Sequence, residues 1–479
     1  MDTKVLLVIP NSAWTDIEEQ ARWRIFPYGL TLIAAVSRDI CEIKIIDANI
    51  DNLSITDFEV ALRAYGPDIV GISVLFDPIS KAGHKIAEIV KKISKNITVV
   101  LGGVYATTNA EEAFLDKNID YLVRGEGELV FKDLVKYLQG KENIPTKGIW
   151  YRNSGTVHKG ELVLIEDLDA LPLPAYDLID IKKYLFTPDE RKSVDAPFRL
   201  PFAYIITSRG CPLKCTFCQV ATISGRNFRY RSPENIIAEI KWLKRNFNLK
   251  SIIFQDDNLL TNRQRAKNLF NMMIKNKLSM PWKMIATAVF MLDDEMILIM
   301  KRSGCKYVCI AIESGCVRIL RNIINKPINF EHAKKMVNTL KSNKIFVAAN
   351  FIIGFPTETW DETRETVSFA EKLKVDYVKL FTLIPLRGTK IWDLCEKMGY
   401  FKQGFKSENI SWNTAQINSP HFSTHDLTIL RAYEWDRINF SNNAKIRRTS
   451  KMMGVTENEL LKIRQKTLLD VQKRIRDHI

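Results

Sequence analysis

Short apolar runs alternate with amphipathic stretches along most of this chain. "KVLLVIP" (4–10), "EIKIID" (42–47), "DIVGISVLF" (68–76) and "ITVVLGG" (97–103) read as strands, and "IDYLVRGEGE" (119–128) supplies a fifth. Helical patterns fill the gaps near 28–40, 56–65 and 81–93. Strands that are apolar on both faces and separated by amphipathic helices predict a parallel sheet covered on each side. Residues 1–140 therefore read as a Rossmann-like α/β domain.

Between 141 and 200 the pattern loosens. "KGIWYRNSGTVHKG" predicts a small hairpin about an Asn-Ser-Gly turn, and the prolines of "DLDALPLPAYDLID" predict an extended linker. A second series follows, with strands expected at 203–208, 251–256, 283–289, 307–314, 346–354 and 377–385. Helical segments separate them, the clearest opening at Ser232-Pro233 with an N-cap and a proline in the first turn. Six βα units over 201–390 predict an open, partial (β/α)6 barrel with its chemistry at the strand C-termini. Residues 391–479 are polar and helical in pattern, either covering the open side of the barrel or forming only a cap.

At 479 residues the chain exceeds what one core supports, and 46% hydrophobic with 26% charged residues is ordinary for a globular protein. No run approaches the roughly 18 apolar residues of a membrane-spanning helix. The opening "MDTKVLLVIPNS" reads as a buried strand and not as a signal peptide, which predicts a cytoplasmic protein. A net charge of +15 favours an anionic partner in principle, but the excess is spread along the chain and a solvated surface accounts for it. Nucleic acid is not an expected partner.

Cysteine usage is less ordinary. Three of only eight cysteines, Cys211, Cys215 and Cys218, crowd into "TSRGCPLKCTFCQV" (207–220), directly after the first barrel strand. In a reducing compartment such clustering indicates metal or redox chemistry before disulfides. Three thiolates can hold three irons of a [4Fe–4S] cube and leave the fourth open to a small molecule. A structural zinc site completed by a distant His, or unrelated buried cysteines, would also suit the spacing. Cys305, Cys309 and Cys316 flank or lie within one predicted strand and read as buried small hydrophobes. The six His residues form no H-E-x-x-H pattern, and no Ser–His–Asp arrangement is visible.

"SRGCPLKCTFC", placed after the first strand of a βα barrel, closely resembles the cluster loop of the radical S-adenosylmethionine (SAM) enzymes. The resemblance implies a [4Fe–4S] cluster on Cys211, Cys215 and Cys218, whose open iron chelates SAM. It extends to Phe217 before the last cysteine, Asp256 and Asp257 in "FQDDN", Glu313 and Ser314 in "IESG", Gly354 in "FIIGFPTET" and Arg231 in "RYRSPE". These are the expected SAM contacts. Each has an internal alternative, such as a helix cap for Asp256 or Asp257, a surface ion pair for Glu313 and a turn for Gly354.

The first domain lacks the G-x-G-x-x-G of a dinucleotide site after its first strand. It is similar instead to the cobalamin-binding domain fused to many radical SAM enzymes. The matching residues are Ser73, Val74 and Leu75, then Gly102 and Gly103, then Gly125 and Glu126 of "RGEGE". The cobalt-ligating D-x-H-x-x-G segment is absent, and the loop 11–29 stands in its place. His84, the domain's only histidine before residue 140, reads as a surface residue. The resemblance then implies base-off cobalamin without a His ligand, and a domain that has lost the cofactor is the other option.

Taken together, these resemblances imply a cobalamin-dependent radical SAM enzyme. The expected activity is methyl transfer to an unactivated carbon through a 5′-deoxyadenosyl radical and methylcobalamin. An external electron donor of flavodoxin or ferredoxin type is implied, with a small-molecule or lipid substrate. A cyclase or rearrangement enzyme of the same family, and a non-catalytic cobalamin or redox sensor, are the alternatives. A tRNA methylthiotransferase is disfavoured because the first domain carries Cys41 alone where such enzymes have three more cluster cysteines. Peripheral membrane contact through the basic C-terminal helices stays open.

Overall fold

In the computed structural model, alternate residues of strand β1 (Lys4–Ile9) feed two different cores. Leu6 and Val8 pack on one side of the sheet, Val5, Leu7 and Ile9 on the other. This is why the sequence run is apolar throughout instead of alternating. The structure describes residues 3–15, 25–186, 195–196, 198–410 and 414–476. Residues 1–2, 16–24 of the loop 11–29, 187–194 and 197 of the connecting stretch, 411–413 and the last three residues lie outside the described set.

One compact unit comprises Met1–Tyr184 with Thr222–Gly225 and Lys406–Ile410. Its strands after β1 are β2 (Glu42–Asp47), β3 (Ile69–Ser73), β4 (Thr98–Gly102), β5 (Tyr121–Val123), β6 (Ile149–Asn153) and β7 (Thr156–Lys159). They form one sheet in the order β2-β1-β3-β4-β5-β6-β7. The first five are parallel, with Leu6 opposite both Lys44 and Val70. That order puts a topological switch point between β1 and β3, beside the strand C-termini where ligands of such sheets bind. The expected hairpin forms about Ser154 and Gly155, both at positive φ, and it extends this sheet antiparallel to β5. β5 is shorter than the run 119–128 suggests. Gly125 (φ +84°) turns the chain, and a helix begins at Gly127.

The other unit comprises Leu185–Ala221, Arg226–Phe405 and Ser411–Ile479. Here β8 (Phe202–Ile205) is followed by a two-stranded ribbon, β9 (Ser208–Arg209) with β10 (Arg229–Tyr230). Then come β11 (Ser251–Phe254), β12 (Trp282–Ala288), β13 (Cys305–Glu313), β14 (Phe346–Ile353) and β15 (Tyr377–Thr382). The six-stranded sheet runs β8-β11-β12-β13-β14-β15, parallel throughout, with helices in the connections. The first of these helices, Pro233–Phe247, is capped by the Ser232 hydroxyl, which accepts from Asn235 N–H.

β8 and β15 do not pair, so this is the open (β/α)6 arrangement expected. The C-terminal helix Thr424–Asn439 lies along the edge strand β15 and satisfies its backbone. Asn439 Oδ1 accepts from Val378 N–H and its amide donates to Val378 O, both at 2.8 Å, while Arg431 Nε donates to Leu380 O at 2.9 Å. Side chains thus occupy ladder positions that would otherwise invite another strand. The helix covers the barrel's open edge. Among the described residues, no helix is long and apolar enough to cross a membrane.

Candidate functional site

The C-terminal ends of β11 to β15 and the loop after β8 enclose a cavity of about 360 Å³. That is the size of pocket that holds one cofactor or drug-sized ligand. Cys211, Cys215, Phe217 and Cys218 form one wall. Asp257, Thr287, Glu313, Lys326, Asn350 and Thr382 are among the polar residues that line it, and Ala286, Ala311, Ile352, Leu383 and Leu386 supply much of the apolar lining.

Glu313 and Lys326 make a buried ion pair at 2.8 Å. Glu313 sits at φ +72°, in the left-handed region that a non-glycine residue seldom adopts. The β13–β14 register slips between Ala311 and Glu313, and this irregularity ends the strand at the cavity.

Burial pushes all three loop thiols up, Cys218 to about 11, while the Lys326 ammonium pulls Cys211 and Cys215 partly back. Thiols so placed ionise readily only against a bound cation, and soft thiolates suit an iron–sulfur cluster or zinc. Among the described residues, no three His, Cys, Asp or Glu side chains converge as a single metal ion requires. A cluster needs no such convergence, because each thiolate takes its own iron. The donor set fits the cluster better than zinc.

Of the SAM contacts expected from sequence, Phe217, Asp257 and Glu313 line the cavity. Asp257 also accepts from Gly210 N–H at 2.9 Å, which ties the entry of the cysteine loop to the end of β11. The other four do not line it. Asp256 is buried and accepts from Thr207 N–H (3.0 Å), the Thr207 hydroxyl (2.6 Å) and the Ser208 hydroxyl. Ser314 shares a hydrogen bond with Thr366 at 2.9 Å and accepts from Cys316 N–H. Arg231 pairs with buried Glu239 at 2.5 Å and donates to Asn235 and Ile206 O. Gly354 stands at φ +85°, a conformation that L side chains rarely adopt, and a Cβ there would also meet the Leu427 Cδ1 methyl at 2.5 Å. These four build the framework around the site. Lys326, Asn350 and Thr382 carried no motif. Cys305, Cys309 and Cys316 are buried as expected, and the Cys309 thiol donates to Asn350 Oδ1 at 3.1 Å.

Within "FIIGFPTET", Glu358 accepts from Gly354 N–H (2.6 Å) and Phe355 N–H (2.8 Å), and burial pushes its carboxyl up to about 7. A carboxyl raised in the fold is stabilising while protonated, so its contribution is full below the ordinary value of 4.5 and is lost as pH rises through about 7. Over that window Glu358 should cost on the order of 3 kcal/mol. Comparing thermal unfolding of wild type and Glu358→Gln from pH 5 to 8 tests this. The variant, whose amide oxygen still accepts both bonds, should show the flatter profile, and parallel profiles would refute it.

In the first unit, the expected cobalamin residues gather at the C-terminal ends of β3, β4 and β5. Val74 N–H donates to Gly102 O, and Tyr105 N–H donates to Val74 O. A Cβ at Gly103 (φ +94°) would sit 2.5 Å from Val74 O, so Gly103 serves this turn. Gly125 lets Val163 O approach, and Glu126 accepts from Ile165 N–H at 2.7 Å. Gly102 differs, since nothing lies closer than 3.9 Å to a Cβ built there, and Ser73 and Leu75 beside it are half-buried. His84 is not the plain surface residue expected. It is half-buried, with Nδ1 2.8 Å from Asp116 and Nε2 3.2 Å from the Tyr105 hydroxyl.

Residues 205–370 match the Radical SAM superfamily, and residues 20–135 match the B12 binding domain. A Pyrococcus horikoshii protein named as an uncharacterized methyltransferase is 34% identical over 398 residues, covering 81% of this chain and 82% of that protein. The cytidylyl-2-hydroxyethylphosphonate methyltransferase of Streptomyces wedmorensis is 27% identical across 87% of this chain and 86% of its own length. Among solved structures, the radical S-adenosylmethionine methyltransferase TsrM from Kitasatospora setae, with cobalamin and a [4Fe-4S] cluster bound, aligns with a TM-score of 0.67. It is 17% identical, with 86% of this chain and 78% of that chain covered. At that identity the likeness is one of fold.

Proposed function

The chain belongs to the radical SAM enzymes that carry a B12-binding domain, and from that premise we propose that it is a cobalamin-dependent methyltransferase acting at an unactivated carbon. The observation that carries the proposal is the single cavity in which three loop thiols face a buried ion pair and a largely apolar wall.

Cys211, Cys215 and Cys218 would hold the cluster, leaving one iron for the amino and carboxylate groups of SAM. Glu313 and Lys326 offer opposite charges to that zwitterionic end and orient it. Phe217 and the apolar strand residues exclude water from the space where a reactive carbon must sit. Ser73, Leu75 and Gly102 would receive the corrinoid in the first unit. When bound, the cluster supplies the electron that cleaves SAM and the corrinoid supplies the methyl group. The protein's own work is placement.

An enzyme of this kind needs an external electron donor, and we assign a flavodoxin or ferredoxin to that role. Ile352, Leu383 and Leu386 suit the uncharged part of a small-molecule or lipid substrate. On the helix Glu457–Arg476, exposed Leu461 and Leu469 stand beside Lys462, Lys466 and Lys473, which supports peripheral contact with an anionic membrane. All eight cysteines are unpaired, as suits the reducing cytoplasm.

Anaerobic reconstitution with iron, sulfide and cobalamin, then dithionite and SAM, tests the proposal. Retained corrinoid together with 5′-deoxyadenosine is the expected result. 5′-Deoxyadenosine without retained corrinoid would remove the methyl-transfer assignment, and no 5′-deoxyadenosine would remove the radical chemistry altogether.

A further inference from the structure

The peptide between the second and third loop cysteines has an unusual support. Residues Ile319–Ile324 form a π-helical turn, a rare geometry that tends to occur at functional sites. Asn325 follows at φ +60°, and both Asn325 N–H and Lys326 N–H return to Leu320 O. The carbonyls at the end of this turn are therefore available to another segment. Thr216, which lies between Cys215 and Phe217, uses them. Its N–H donates to Ile324 O at 3.0 Å and its hydroxyl to Ile323 O at 2.5 Å. From the other side, Ile391 N–H donates to Thr216 O at 3.2 Å. The Asn325 amide also donates to Lys214 O at 3.3 Å, immediately before Cys215.

We infer that Thr216 and Asn325 are positioning residues, through which the π-helical turn Ile319–Ile324 holds the cysteine loop in the geometry that receives the cluster. This rests on the assignment of a cluster to Cys211, Cys215 and Cys218. Neither residue lines the cavity, so their part is to hold the loop and not to supply a ligand. Their effect is to remove freedom from the Lys214–Cys218 peptide before anything binds. The thiols are then presented without the entropy cost of ordering a short loop. The turn is flanked by Glu313 before it and Lys326 directly after Asn325, so the cavity's ion pair and the cysteine loop share one support.

The test uses the full-length chain reconstituted with iron and sulfide. Thr216→Val keeps the shape and both backbone bonds but deletes the bond to Ile323 O. Its iron should be lost to a chelator about fivefold faster than in wild type, the equivalent of one ordinary hydrogen bond. The electron paramagnetic resonance signal of its reduced cluster should also shift. Thr216→Ser, which restores the hydroxyl, should return both properties to wild-type values. Iron loss and signal unchanged in a folded Thr216→Val protein would overturn the inference. Should that variant not fold, Asn325→Gly decides the matter, since glycine keeps the positive φ and removes only the bond to Lys214 O. Faster iron loss supports the inference and wild-type loss refutes it. A wild-type chain that takes up no cluster would instead defeat the cluster assignment itself.

Discussion

Replacing Cys215 with alanine should abolish 5′-deoxyadenosine formation while leaving the fold in place, and Cys211 and Cys218 should behave alike. Each thiol lines the cavity on a loop instead of filling a core, so its removal sacrifices little packing. With two protein ligands the cube loses an anchor and the position of its open iron, so the effect is all or none. The control is Cys309→Ala, at a wholly buried position on β13. It should keep full iron content and lose about 1 kcal/mol of stability, the usual scale for a small buried truncation. Iron content, visible absorbance and product analysis on the same preparations check the contrast. Wild-type turnover in Cys215→Ala would refute the site.

The second large effect concerns the ion pair. Lys326→Met leaves the Glu313 carboxylate buried without its cation, a change that costs 3–5 kcal/mol when the site is closed to water. This pair borders a cavity, so about 3 kcal/mol is expected. Combining Lys326→Met with Glu313→Gln removes the orphaned charge and should recover most of the loss. SAM retention should stay impaired in the double variant, because neither charge remains to meet the zwitterion. Chemical denaturation of the metal-free chain and equilibrium dialysis with SAM separate these outcomes. A single variant that loses less than about 1 kcal/mol would show that the two charges are not held as a buried pair. Restored SAM retention in the double variant would assign the pair to structure alone.

Much of this protein was legible from its strand pattern. Continuous apolar runs such as Val5–Ile9 must be buried on both faces, and only a parallel sheet between helices does that for several runs in series. The open barrel followed from counting six such units. The gathering of the three cysteines at one cavity was legible too, because they lie within a single loop and so leave a short-range trace. β5 was over-read at its C-terminal end, where Gly125 turns the chain at positive φ and a helix begins at Gly127.

What the chain alone could not decide depended on direction and distance. Asp256 and Asp257 are neighbours, yet one faces the cavity and the other locks Thr207 and Ser208 from behind, since successive residues at a strand end point opposite ways. Lys326 belongs to no motif and reaches Glu313 only because the π-helical turn brings residues 313 and 326 together. Thr216 carries no motif of its own, and its N–H and hydroxyl are taken by carbonyls more than a hundred positions away. The sequence determined the sheets, the open barrel and the cysteine loop, because local periodicity and close spacing encode them. Only the tertiary structure decided which polar side chains face the cavity and which brace it, because that choice is made by partners distant along the chain.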